Sequence, residues 1–154
     1  MAQERLAAID IGTNSIRCII VEVDEKKGFR VLDDEKATVR LGEGLAASGR
    51  ISPQAWERAR ESLVRMRKII DGLGARYIEA VATSAVRKAL NGTDFIAAMQ
   101  QETGIPIRVI TGKEEAQLTT LSALHHFDMA NTRYALIDIG GGSIEVITLS
   151  LIHI

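Results

Sequence analysis

Asp138, followed by Ile139, Gly140, Gly141, Gly142 and Ser143, is a stretch whose residue types suit the handling of a phosphate and its counter-ion. Consecutive glycines let a backbone take positive φ and come close to a ligand, which residues with a Cβ resist. Successive free amide hydrogens in such a turn can cradle phosphate oxygens, and a carboxylate at its mouth can hold a hard cation such as Mg2+. The pattern occurs once more, near the N-terminus. Laying Leu6–Val21 over Tyr134–Leu149 without gaps matches Asp10 with Asp138, Gly12 with Gly140, Ser15 with Ser143 and Ile16 with Ile144. Two copies of one phosphate hairpin are the expectation.

Two further stretches carry chemistry. An apolar strand, Tyr77–Ala82, runs into Thr83 and Ser84, with Arg87 one turn into the helix that follows. A strand feeding a helix N-terminus this way can bind an anion, and an arginine there can fork onto phosphate. Taken alone, Thr83 or Ser84 reads first as a plain helix cap. Thr111, Gly112, Lys113 and Glu114 form a capping box, in which Glu114 reaches back to the Thr111 amide. Glu115 is left without a structural duty beyond a modest gain from the helix dipole, so it is a candidate carboxylate base. The adjacent His125 and His126 project in different directions and make a poor metal pair. Cys18, the single cysteine, lies in a strand and reads as a small buried hydrophobe.

The elements that must position these residues follow from periodicity. Leu6–Ile11 is a buried strand, Ile16–Val23 returns from its turn, and Phe29–Leu41 reads as a third, more polar strand. Residues 42–45 form a glycine-rich loop. Ser52 and Pro53 announce a helix, with Trp56, Ala59, Leu63, Met66, Ile70 and Leu73 on one core-facing side and stops at Gly72 and Gly74. A helix over Thr93–Thr103 closes at Gly104, Ile105–Ile110 is a strand, and the capping box opens a last helix. This order is an α/β layered architecture. The expected division is a first lobe over residues 1–127, a linker and the opening hairpin of a second lobe over 128–150, and a non-native tail over 151–154.

Composition limits the partners. Nineteen basic and twenty acidic residues leave a net charge of −1, so no global field recruits nucleic acid or an anionic membrane. The first residues lack an apolar signal core, and no apolar run approaches bilayer length. The cytoplasm is the expected compartment.

Four stretches together carry a family resemblance: Asp-Ile-Gly-Thr-Asn-Ser at 10–15, Ala-Thr-Ser-Ala-Val-Arg-Lys-Ala-Leu-Asn at 82–91, Gly-Lys-Glu-Glu-Ala at 112–116 and Asp-Ile-Gly-Gly-Gly-Ser-Ile-Glu at 138–145. In this order they resemble the signatures of the exopolyphosphatase and guanosine pentaphosphate phosphohydrolase family, of the actin-like ATPase superfamily. The resemblance implies a ribonuclease-H-like lobe plus the first hairpin of a second, truncated lobe, with a terminal phosphoryl group hydrolysed in the cleft between lobes. By position it implies Glu115 as the group that activates water and Arg87 as a phosphate contact. Asp138, Glu145 and, by duplication, Asp10 become metal-side carboxylates for Mg2+. Thr13, Asn14 and Ser15, with Gly140, Gly141, Gly142 and Ser143, become the two phosphate loops.

The implied substrate is inorganic polyphosphate or guanosine pentaphosphate. A kinase of the same superfamily and a non-catalytic phosphate- or nucleotide-binding fragment are the alternatives. Oligomeric state is not legible, and a homodimer of a longer parent stays open.

Overall fold

The computed structural model describes residues 4–24, 28–127 and 133–150. Of the expected linker over residues 128–133, residues 128–132 lie outside them and Arg133 already belongs to a strand; the expected tail at 151–154 also lies outside them. The chain order is β1 (Glu4–Ile11), β2 (Ser15–Asp24), β3 (Gly28–Thr38), α1 (Leu45–Ser48), α2 (Pro53–Gly72), β4 (Tyr77–Ala82), α3 (Ser84–Lys88), α4 (Gly92–Thr103), β5 (Ile107–Val109), α5 (Gly112–His126), β6 (Arg133–Ile139) and β7 (Ile144–Ser150).

Five strands form one sheet in the order β3-β2-β1-β4-β5, and β6 pairs with β7 in a separate two-stranded sheet. β1, β2 and β3 are antiparallel, whereas β4 and β5 run parallel to β1. Alternation along the strands sends Ala7, Ile9 and Ile11 of β1 and Ile16, Cys18 and Ile20 of β2 to one buried face. Residues of β1 two apart from Asp10 point the same way it does, so the face that buries Ile9 and Ile11 leaves Asp10 on the other side.

The helices cover the apolar face. Ser52 caps α2 by accepting from the Ala55 amide; of the expected stripe Ala59, Leu63, Met66 and Ile70 are buried, joined by Ala55, while Leu73 caps the helix end and is half-buried. Trp56 is half-buried and meets Phe95 of α4 edge-on, with centroids 5.2 Å apart. Such a pair contributes about 0.5–1.5 kcal/mol beyond its area. Asn91 does not cap α4; its side-chain amide instead grips both the amide and the carbonyl of Ile51, which joins the loop before α2 to the start of α4.

Three boundaries differ from the sequence expectation. β3 stops at Thr38, because the amides of Val39 and Arg40 both turn to the Asn14 carbonyl, at 3.0 and 2.9 Å. Arg40 takes φ 50° to do so, a left-handed conformation uncommon for a residue with a side chain. The strand over 105–110 shrinks to three residues around Arg108. Within the glycine-rich loop a short α1 appears, flanked by Gly44 and Gly49, both at positive φ.

Burial pushes the Cys18 thiol up to about 11, in keeping with its enclosure in the core. Native protein at pH 8 should therefore leave an aromatic disulfide reagent unreacted, and one thiol should appear only on adding denaturant. Rapid titration of the folded protein would contradict this burial.

Candidate active site

The two hairpins are built alike down to single hydrogen bonds. The Gly12 amide donates to the Ser15 carbonyl at 3.0 Å, and the Gly140 amide donates to the Ser143 carbonyl at 2.9 Å. In register, Ile11 faces Ile16 as Ile139 faces Ile144, and Asp10 faces Arg17 as Asp138 faces Glu145. The Glu145 side chain lies outside the described residues.

The glycines serve a purpose other than the expected one. None of Gly140, Gly141 and Gly142 is at positive φ. Two of them are in close approach: a Cβ on Gly141 would stand 3.0 Å from the Asn14 Cβ, and one on Gly142 would stand 2.7 Å from the Thr13 Oγ1, whereas one on Gly140 would meet only ordinary contacts. The second turn thus rests directly on the first. Among the described residues, the amides of Thr13, Asn14, Gly141, Gly142 and Ser143 donate to no protein acceptor. Two adjoining turns with free amides are able to take an anion. Ser15 stands at the head of β2, half-buried.

α3 holds the second turn from the side. Ser84 donates through its hydroxyl, and Lys88 through its ammonium, to the Gly142 carbonyl at 3.3 and 3.1 Å. These two residues are four apart and so share a helix face. Neither Thr83 nor Ser84 acts as a side-chain cap; the Thr83 amide instead continues the sheet by donating to the Ile11 carbonyl.

Arg87 and Glu115 come together. Both terminal nitrogens of Arg87 donate to Glu115 Oε2 at 3.2 Å, and Nη1 also donates to the Ile110 carbonyl at 2.6 Å. Glu115 therefore does have a structural partner, contrary to the sequence reading. A guanidinium carries five N–H donors, and three are used here, so two remain for another acceptor. Glu115 Oε1 has no protein partner among the described residues. Glu114 is fully occupied as expected: it accepts from the Thr111 amide at 2.8 Å, and Thr111 accepts from the Glu114 amide at 3.2 Å.

Asp10, Glu115 and Asp138 share one electrostatic neighbourhood. Crowding by surrounding protein atoms raises the Asp10 pKa most, the charges of Glu115 and Asp138 raise it further, and Arg17 opposes them. Asp10 nonetheless keeps accessible surface. Asp138 accepts from the Thr119 hydroxyl through Oδ2 at 2.9 Å.

Among the described residues no three His, Cys, Asp or Glu side chains stand close enough to hold a metal together. Mg2+ ordinarily takes one or two carboxylates and completes its shell with water and phosphate oxygens. Asp10 and Asp138 fit that demand without a closed protein cage. Sequence reasoning missed Ser84 as a loop contact, Lys88 and Thr119. The one local signal is spacing: Lys88 follows Ser84, and Thr119 follows Glu115, by one helical turn.

Strand order and pairing, with the first turn between β1 and β2, define a ribonuclease-H-like lobe of the actin-like ATPase class. The chain belongs to the Ppx/GppA phosphatase family, whose family model matches residues 19–151. It is 37% identical over 155 residues to exopolyphosphatase 2 of Mycobacterium tuberculosis, covering 96% of this chain and 49% of that protein. It is 32% identical to exopolyphosphatase 1 of Mycobacterium bovis, covering 92% and 41%.

Its structure is similar to an exopolyphosphatase from Cytophaga hutchinsonii, with a TM-score of 0.92 at 32% identity over 96% of this chain and 47% of the other. The Aquifex aeolicus Ppx/GppA family member gives a TM-score of 0.84 at 27% identity, covering 99% and 49%. The chain spans about half the length of the curated relatives it matches. Among the described residues, no helix is long and apolar enough to cross a membrane.

The raised Asp10 pKa has a consequence for stability. A carboxyl raised by folding favours the fold while protonated; that stabilisation is full below the ordinary value of 3.8 and is lost as pH climbs through the folded value. Asp10→Asn should therefore raise the thermal midpoint at neutral pH, with the gain vanishing near pH 3. A midpoint lowered at neutral pH would show that the ionised carboxylate supports the fold.

Proposed function

We propose that this site serves a phosphohydrolase that releases the terminal phosphate of inorganic polyphosphate by attack of water, with guanosine pentaphosphate as the alternative substrate. The observation that carries the reading is a pair of touching free-amide turns beside an Arg87–Glu115 pair in which each partner keeps unused hydrogen-bonding capacity, the Glu115 charge reaching Asp10 at the foot of the first turn. Membership of a phosphatase family and likeness to proteins named exopolyphosphatases support it. The cytoplasm is the proposed compartment.

Phosphoryl transfer needs positioning and charge neutralisation more than covalent help. In the proposed arrangement the amides of Thr13, Asn14, Gly141, Gly142 and Ser143 orient the phosphoryl oxygens, with Ser15 at the edge of the first turn. Arg87 supplies its two spare donors to the same oxygens. Glu115 accepts a proton from the attacking water at Oε1, while Arg87 holds Oε2 and so fixes the direction of the carboxylate. Asp10 and Asp138 would hold Mg2+, with Glu145 as a further carboxylate on the strand opposite; when bound, the ion offsets phosphate charge.

Two substitutions test the assignment, assayed in this chain and in this chain joined to the C-terminal half of a relative. Glu115→Gln should lower phosphate release from polyphosphate by about two to four orders of magnitude, the usual worth of a positioned general base. Glu114→Gln should cost far less, because glutamine also closes a capping box. Equal losses would sink the role of Glu115.

Asp138→Asn should raise the Mg2+ concentration for half-maximal activity, since an amide removes charge that holds a hard cation. An unchanged requirement would move the ion away from β6. Consumption of ATP with transfer to an acceptor, in place of release to water, would favour the kinase reading.

A further inference from the structure

We propose that Thr119 is a positioning residue that orients the Asp138 carboxylate for a divalent cation; the inference rests on the metal reading of Asp138 given above. Thr119 stands one turn after Glu115 on α5, about 6 Å further along the helix axis. Its Oγ1 lies 2.9 Å from Asp138 Oδ2 and 3.1 Å from the Glu115 carbonyl oxygen.

A hydroxyl has one proton, so only one of these two oxygens receives it. The Glu115 carbonyl is already served within the helix by the amide four residues on. Asp138 Oδ2 has no other protein donor among the described residues. A bond to an ionised acceptor is also shorter and stronger than one to a neutral carbonyl, in keeping with the shorter distance to Asp138. The proton therefore goes to Asp138.

The need for such a bond comes from charge. Asp10, Glu115 and Asp138 are carboxylates of one neighbourhood, since the charges of both Glu115 and Asp138 reach Asp10, and repulsion alone would swing a free carboxylate toward solvent. Thr119 offsets that tendency by taking Oδ2, which leaves Oδ1 as the oxygen open to a cation. The same bond ties β6 to the helix that carries Glu115, so the proposed base and the proposed metal carboxylate are held by residues one helical turn apart. Partners that orient a metal-ligating carboxylate commonly account for 10- to 100-fold in metal affinity.

The test uses the 154-residue chain without substrate, with Mn2+ as the probe and free Mn2+ followed by electron paramagnetic resonance. Thr119→Val keeps the shape and removes the hydroxyl; Thr119→Ser keeps the hydroxyl and removes the methyl; Thr119→Ala guards against a packing effect of valine. Thr119→Val and Thr119→Ala should each weaken Mn2+ binding roughly 10-fold or more, with far-UV circular dichroism unchanged. Thr119→Ser should stay close to the parent.

Valine and alanine variants that bind as tightly as the parent, while Asp138→Asn binds weakly, would overturn the role of Thr119 alone. A serine variant as weak as the valine variant would assign the effect to packing and overturn it too. An unsubstituted chain that binds no Mn2+ would overturn the metal reading and this inference with it, while leaving the anion site of the two turns to be judged by phosphate release.

Discussion

Thr13 is clasped between two glycines, and the geometry of the site depends on that contact. A Cβ on Gly142 would press on the Thr13 side chain from one direction, and a Cβ on Gly42 would collide with the Thr13 Cγ2 from another. With both side chains absent, the turn at 12–15 is supported by the loop that ends β3 and carries the turn at 140–143 upon it. The carbonyls of the first turn are used up in this support: Thr13 accepts from Gly42, and Asn14 accepts from Val39 and Arg40. Its two central amides, of Thr13 and Asn14, donate to no protein acceptor among the described residues.

A second constraint sets the direction of the upper turn. The Gly142 carbonyl is drawn to Ser84 and Lys88. In a trans peptide the carbonyl and the following N–H point opposite ways, so anchoring that oxygen on α3 aims the Ser143 amide away from α3. A helix of five residues thus orients a peptide more than fifty positions later in the chain, and it does so with one hydroxyl and one ammonium.

Electrostatically the duplicated hairpins have diverged. Asp10 faces Arg17 across its strand pair, whereas Asp138 faces Glu145. Arg17 is itself drawn off by Asp34 in a two-pronged pair at 2.8 and 2.7 Å, so its relief of Asp10 is partial and the pKa stays raised. Gathering carboxylates is unfavourable unless cations or donors compensate. Arg87 compensates at Glu115 and Thr119 at Asp138. The outer face of the second hairpin, with Ile137, Ile139, Ile144 and Val146, is exposed, and a two-stranded sheet by itself is only marginally stable in water.

What the sequence determined by itself was whatever closes within a few residues. The Ser52 cap, the Thr111 and Glu114 capping box, the Gly104 stop, the apolar stripe of α2 and the alternation of β1 and β2 all rest on bonds or periodicities that span one helical turn or one strand. The duplication was also legible, since equal local chemistry left equal residues at 10, 12, 15 and 16 and at 138, 140, 143 and 144. What only the tertiary structure decided was which chain segments meet: β4 beside β1, Gly142 against Thr13, Ser84 and Lys88 on the Gly142 carbonyl, Arg87 on Glu115, and Thr119 on Asp138. The residue types allowed each of these contacts but specified none, because a glycine suits a positive φ and a close approach equally, and a threonine hydroxyl suits its own helix as well as a neighbouring carboxylate. The choice was made by packing, which brings residues far apart in sequence within bonding distance.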